Sequence, residues 1–172
     1  MSYREDRPIG AAVVDSVEFS RTDGVLVGSV PVAELDRLAD VLADNAGLLD
    51  CELRGGQDGE GKRFLDLRVG GSLNLRCQRC LSSLPFRLDI DSRLMLVAPG
   101  ETWPDEELAD DGIEAIEASR ELAVLPLIED EVLLALPIAP RHEDCRPPGT
   151  TGVTEMEHRP SPFAALDKLK DH

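Results

Sequence analysis

Cys77 and Cys80, in the run RCQRCLSSLPF of this 172-residue chain, are the residues whose types and spacing most directly offer chemistry. A Cys-x-x-Cys turn can hold a metal, cycle as a redox dithiol, or place two reduced thiols in a tight bend. A redox pair wants a helix N-terminus just behind its first cysteine to lower the thiol pKa. Here a strand-like pattern leads in and LSSLPFRLDI leads out to another strand, which speaks against redox use. Zinc fits better, because a two-residue spacer in a turn aims both sulfurs at one ion, but it needs two more ligands. PRHEDCR supplies them as His142 and Cys145, and three thiolates with one imidazole make a closed structural site without a position for water. The alternative stays open, with 61 residues between Cys80 and His142: reduced thiols in the turn and a surface histidine. Cys51, in LLDCELR, reads as a core thiol.

Other catalytic constellations are missing from the sequence. There is no Gly-rich phosphate loop, nucleophile elbow or His-rich cluster, so the expectation is a non-enzyme without a small-molecule substrate. The net charge of −16 argues against a protein that simply coats nucleic acid. The charge is uneven, however. From Arg54 to Arg93 eight bases face five acids, a local +3 that leaves −19 for the remainder. Arg68, Arg76, Arg79, Arg87 and Arg93 are therefore candidate RNA-phosphate contacts, with ordinary solvent-facing arginines as the alternative. One Trp, one Tyr and four Phe leave little for base stacking. No apolar run is long enough to span a bilayer and MSYREDRPIG lacks a signal-peptide core, so a cytoplasmic protein with no membrane contact is expected.

These residues need a scaffold. The pattern predicts an α+β fold: a mainly antiparallel β-sheet with two principal helices, an acidic loop and a short C-terminal helix. Residues 1–145 form the single domain, 146–160 a flexible tether and 161–170 the C-terminal helix. AVVDSVEF and GVLVGSV read as a first hairpin around RTDG, and PVAELDRLADVLADNAG as an amphipathic helix on Leu35, Leu38 and Leu42. From Leu48 to Val97 apolar residues alternate with polar ones, with GGQDGEG and GGS as hairpin loops. Arg76, Arg87 and Arg93 then share the polar face. PGETWPDEELADDGIEAIEAS is acid-rich and reads as an exposed loop. ELAVLPLIEDEVLLALPIAP is a mostly buried helix, with Pro126 in its first turn and Glu129, Asp130 and Glu131 near its positive end. In SPFAALDKLK the stripe Phe163, Leu166 and Leu169 docks either on the chain's own core or on a partner.

Three blocks, CQRC before a strand, IEDEVLLALPIAPRHEDC and the final PSPFAALDKLK, occur in an order that resembles the bacterial large ribosomal RNA subunit accumulation protein family, YceD. The resemblance spans roughly residues 73 to 170. It implies a cytoplasmic, non-catalytic ribosome-biogenesis factor supporting synthesis, processing or stability of large-subunit (23S) rRNA, its partners being the rRNA precursor or ribosome-assembly proteins. The family's cysteine pair falls on Cys77 and Cys80, its acidic triplet on Glu129, Asp130 and Glu131, and its later His and Cys on His142 and Cys145. An acidic module that chaperones a basic ribosomal protein, with no RNA contact, is the competing reading.

Overall fold

A computed structural model describes residues 8–101 and 113–148. Most of the expected tether, the C-terminal stripe of Phe163, Leu166 and Leu169, and most of the acidic loop lie outside the described residues. The α+β expectation holds. A five-stranded sheet runs in the order β2 (Val25–Pro31), β3 (Leu48–Gln57), β4 (Arg63–Arg76), β5 (Ser83–Val97), β6 (Ile113–Glu117). Its pairs are antiparallel except β5 with β6, which is parallel. β1 (Val13–Val14) and β7 (Leu122–Ala123) form a small separate ribbon.

The period-two pattern does what its chemistry dictates. Leu49, Leu53, Leu65, Leu67, Leu73, Leu75 and Leu94 are fully buried on the inner face, covered by α1 (Ser16–Arg21), α2 (Val124–Ala135) and short 3-10 turns. Each such leucine contributes roughly 1.5–3 kcal/mol by leaving water. Cys51 belongs to this core as expected, and burial pushes its thiol up to about 12.

Four local expectations need correction. The first hairpin does not form: after β1 the chain turns into α1, because the Asp15 carboxylate accepts from the amides of Val17 and Glu18 at 3.1 and 3.0 Å and caps a helix. Gly55 of β3 makes room for that helix, since a Cβ there would lie 2.5 Å from the Phe19 carbonyl oxygen. The helix expected from Pro31 is instead two 3-10 turns, Val32–Glu34 and Asp36–Leu38, followed by a turn at residues 39–41 and a bridge from Leu42 to Leu75. β3 pairs with β4 only as far as Gly71, leaving the rest of that edge open. Val41 and Ala43 fill it, the Val41 carbonyl accepting from the Arg76 amide at 2.8 Å and the Ala43 amide donating to the Asn74 carbonyl at 2.7 Å. Satisfying a strand edge outweighs a modest helix propensity.

The third correction concerns GGS, which is no loop. β4 runs straight through it, and a Cβ on Gly71 would meet the Leu49 side chain at 2.7 Å, so close approach rather than turning requires the glycine. The β3–β4 loop is confined to residues 58–62, and the real β4–β5 turn is the cysteine run itself. Fourth, the end of the acidic segment is not loop: residues 113–117 form β6.

Candidate metal centre

The long hairpin β4–β5 presents the cysteine turn at its tip, and the chain leaving α2 returns to that tip. The turn closes through the Cys77 amide donating to the Ser82 carbonyl and the Leu81 amide donating to the Cys77 carbonyl, both at 2.9 Å. Leu81 adopts a left-handed φ of 64° to permit this. The returning segment docks through the Gln78 amide, which donates to the Pro140 carbonyl at 2.8 Å.

One donor atom from each of Cys77, Cys80, His142 and Cys145 lies within 4.8 Å of all the others. The Cys77 and Cys145 sulfurs are 3.7 Å apart, and the Cys80 sulfur is 3.4 Å from His142 Nδ1. A tetrahedral ion with zinc–sulfur bonds near 2.3 Å and zinc–nitrogen bonds near 2.0–2.1 Å asks for S···S edges of about 3.8 Å and S···N edges of about 3.5 Å. The four residues therefore form a group that can bind a metal. His142 Nε2 lies 3.1 Å from the Ser83 carbonyl oxygen. A proton on Nε2 donated there leaves Nδ1 as a lone pair aimed at the sulfurs, the outer contact that orients a ligating imidazole.

The electrostatics suit thiolates at Cys77 and Cys80 but not at Cys145. Burial pushes the Cys77 thiol up, but the amides of Cys80, Arg79 and His142 together outweigh it and bring it down to about 5. The Ser82 hydroxyl and amide lower Cys80, while burial raises Cys145 against the opposing pull of Arg79. His142 is raised by Cys77 first and Cys80 second, as expected for an imidazole facing sulfur anions. Cys77 is fully buried and the other three are half-buried. Four protein donors leave no open coordination position, so the arrangement is suited to holding structure rather than activating water.

Residues 65–170, which contain all four donors, match the family model described as large ribosomal RNA subunit accumulation protein YceD. The chain belongs to the YceD family. A curated relative from Haemophilus influenzae, "Large ribosomal RNA subunit accumulation protein YceD", is 26% identical over 166 residues, which cover 91% of this chain and 94% of that protein. No solved structure matches. The family name describes an accumulation factor rather than an enzyme, and no helix among the described residues is long and apolar enough to cross a membrane.

The arginines of this YceD chain are placed less simply than the centre. Arg68, Arg76, Arg87 and Arg93 do share the outer sheet face: the register sets Asp66 opposite Arg93, Arg68 opposite Asp91, Ser72 opposite Arg87 and Arg76 opposite Ser83. With Arg54, they meet Asp50, Glu52, Asp66, Asp89 and Asp91 on that face of β3, β4 and β5, five bases against five acids on those three strands, and β6 adds Glu117. Arg93 forms a fork with Asp66 at 2.7 and 2.9 Å and stacks over Phe64, and Arg68 reaches Asp91 at 3.2 Å. Arg87 is exposed and has no partner among the described residues. Arg79 stands apart from this face: it lies in the cysteine turn, with its guanidinium on Cys145, His142 and Glu143.

The acidic triplet does more than face a helix dipole. Glu129 and Glu131 are buried at 6% and 5% exposure, in the second turn of α2 rather than at its tip. Glu129 accepts from the Arg37 amide at 3.0 Å and caps the second 3-10 turn, while Asp130 pairs with the Arg37 guanidinium. Burial raises the Glu131 pKa against a hydrogen bond with Ser92, and the nearby charges of Glu114 and Asp130 raise it further. Three acids in a row on a buried helix were the available signal, since such a helix cannot turn all three to solvent.

Proposed function

We propose that this chain supports the accumulation of large-subunit (23S) rRNA as a non-catalytic binding factor, with Zn²⁺ as a structural clasp on Cys77, Cys80, His142 and Cys145. The observation that carries the reading is a closed four-donor centre inside the region shared with the YceD family. Zinc would supply a crosslink between the hairpin tip and the chain leaving α2, fixing the shape of one end of the protein. The test is a strain lacking the gene, complemented with wild type or with Cys77→Ser/Cys145→Ser. Wild type should restore the ratio of 23S to 16S rRNA and the double variant should not. An unchanged ratio in the deletion strain overturns the rRNA reading, and full rescue by the double variant overturns the role of the centre.

The outer arginines, Arg68, Arg76, Arg87 and Arg93, are the proposed contacts for precursor rRNA, with Arg79 no longer grouped among them. The lack of any excess of bases over acids on that face supports a second reading, in which the acidic chain holds a basic assembly protein and touches no RNA. Crosslinking in cells with RNA and protein read out together separates the two. Phe163, Leu166 and Leu169 remain proposed partner contacts. A chain cut after Arg159 that melts like the full chain but no longer sediments with ribosome precursors would support them.

A further inference from the structure

We propose that Arg79, inside the two-residue spacer of the cysteine turn, is a positioning residue for the metal: it holds the His142–Cys145 half of the centre in register and offsets the charge of its thiolates. The inference rests on the zinc reading above. Its Nε donates to the Cys145 sulfur at 3.0 Å, and its Nη2 donates to the carbonyls of His142 at 2.6 Å and Glu143 at 3.0 Å. One half-buried side chain thus grips a ligand atom of the second half and the backbone beside both of that half's ligands. The two halves lie far apart in the chain, and this fork joins them without metal, beside the contacts among the four donors, the Gln78–Pro140 backbone bond and the His142 contact to Ser83.

Charge favours the same role for Arg79. Three thiolates around a divalent ion carry a net charge of −1, and a guanidinium on one sulfur brings the assembly to zero in a chain already at −16. Arginine is the residue for this, because its planar fork gives several donors in fixed directions, whereas a lysine offers a point charge on a flexible stem. The N–H···S bond also draws electron density from Cys145, lowering its donor orbital.

The experiment uses full-length protein: wild type, Arg79→Met, Arg79→Lys, and Arg87→Met as a control for loss of an exposed arginine. Apparent Zn²⁺ affinity is measured by competition with a chromophoric chelator, and the cobalt-substituted proteins are compared by absorption. Arg79→Met should bind zinc about 10–100-fold more weakly, the usual effect of losing an outer-shell partner. Its cobalt–thiolate charge-transfer band should move to lower energy. Arg79→Lys should fall between, and Arg87→Met should match wild type. Affinity for Arg79→Met equal to wild type overturns the inference, and so does a loss of affinity with an unmoved cobalt band, which would assign Arg79 to general folding. If Arg79→Met does not fold, Arg79→Lys decides, and wild-type affinity and spectrum in that variant overturn it. A wild-type protein that binds no zinc removes the zinc reading itself, an outcome distinct from all of these.

Discussion

Removing the proposed zinc should lower stability without unfolding the protein at room temperature, and the structure sets the size of both effects. The buried core, from Leu49 and Leu53 on β3 through Leu65, Leu67, Leu73 and Leu75 on β4 to Leu94 on β5, owes nothing to the four donors except the neighbouring position of Cys77. Besides the contacts among the four donors, the segment after α2 keeps five hydrogen bonds to the hairpin tip: Gln78 to Pro140, Arg79 to His142, Glu143 and the Cys145 sulfur, and His142 to Ser83. At about 1 kcal/mol net each, these keep the segment docked on the tip without the metal, so what chelation removes is the metal's own contribution. Zinc at 100 times its dissociation constant adds about 2.7 kcal/mol to the folded state. For a domain of this size 1 kcal/mol moves the melting temperature by about 2–4 °C, so chelation should lower it by about 5–11 °C. The assay is thermal unfolding of protein purified without chelator, before and after excess chelator, with zinc content measured on the same samples. Far-UV circular dichroism at 25 °C should barely change, while hydrogen exchange at the Gln78 amide should accelerate. A zinc-loaded sample whose melting temperature ignores chelation would refute the clasp. Complete unfolding on chelation would refute the independence of the core.

Three further outcomes follow from particular contacts. Asp15→Ala should cost about 0.5–2 kcal/mol, because two α1 amides lose their acceptor, measured by urea denaturation. Gly55→Ala should cost about 1–3 kcal/mol, since the new methyl meets the Phe19 and Ser20 backbone, which cannot swing aside as a side chain would. Glu131 has a raised pKa in the folded chain, so folding takes up a proton there; its effect favours the folded state below the unfolded carboxyl pKa of about 4.3 and is lost as pH rises through the folded value. In Glu131→Gln that slope should vanish, so its melting temperature should gain on wild type between pH 4 and 7, and parallel pH curves would contradict the assignment.

The centre was legible because its residue types are rare and their chemistry is specific: Cys77 and Cys80 in a turn need partners, and His142 with Cys145 are few enough to find. The sheet was legible wherever one face is buried, as in Leu65 to Val69 and Leu73 to Cys77, because alternation leaves a period of two. What escaped was set by contacts distant in sequence. Leu35, Leu38 and Leu42 are buried as a helical stripe would have them, yet the chain there closes an open edge of β4 that only the sheet order reveals. Asp15 and Glu18 did carry a capping signal, three residues apart, but Val13, Val14 and Val17 around them suggested a strand. Arg79 was grouped with the sheet arginines by composition. Its true partners lie 63 to 66 residues away, beyond any local pattern.

The order in which the four donors occur along the chain also sets a clock. Cys77 and Cys80 are made first, and His142 follows 62 residues after Cys80 (142 − 80). At about 5–20 residues per second of synthesis, roughly 3–12 seconds pass between them. During that interval β2 to β5 can pair and bury their leucines while the cysteine turn offers only half a coordination sphere. A metal closing the centre would therefore have to wait until α2 has been made, so the proposed clasp would be set after the cysteine hairpin and not together with it.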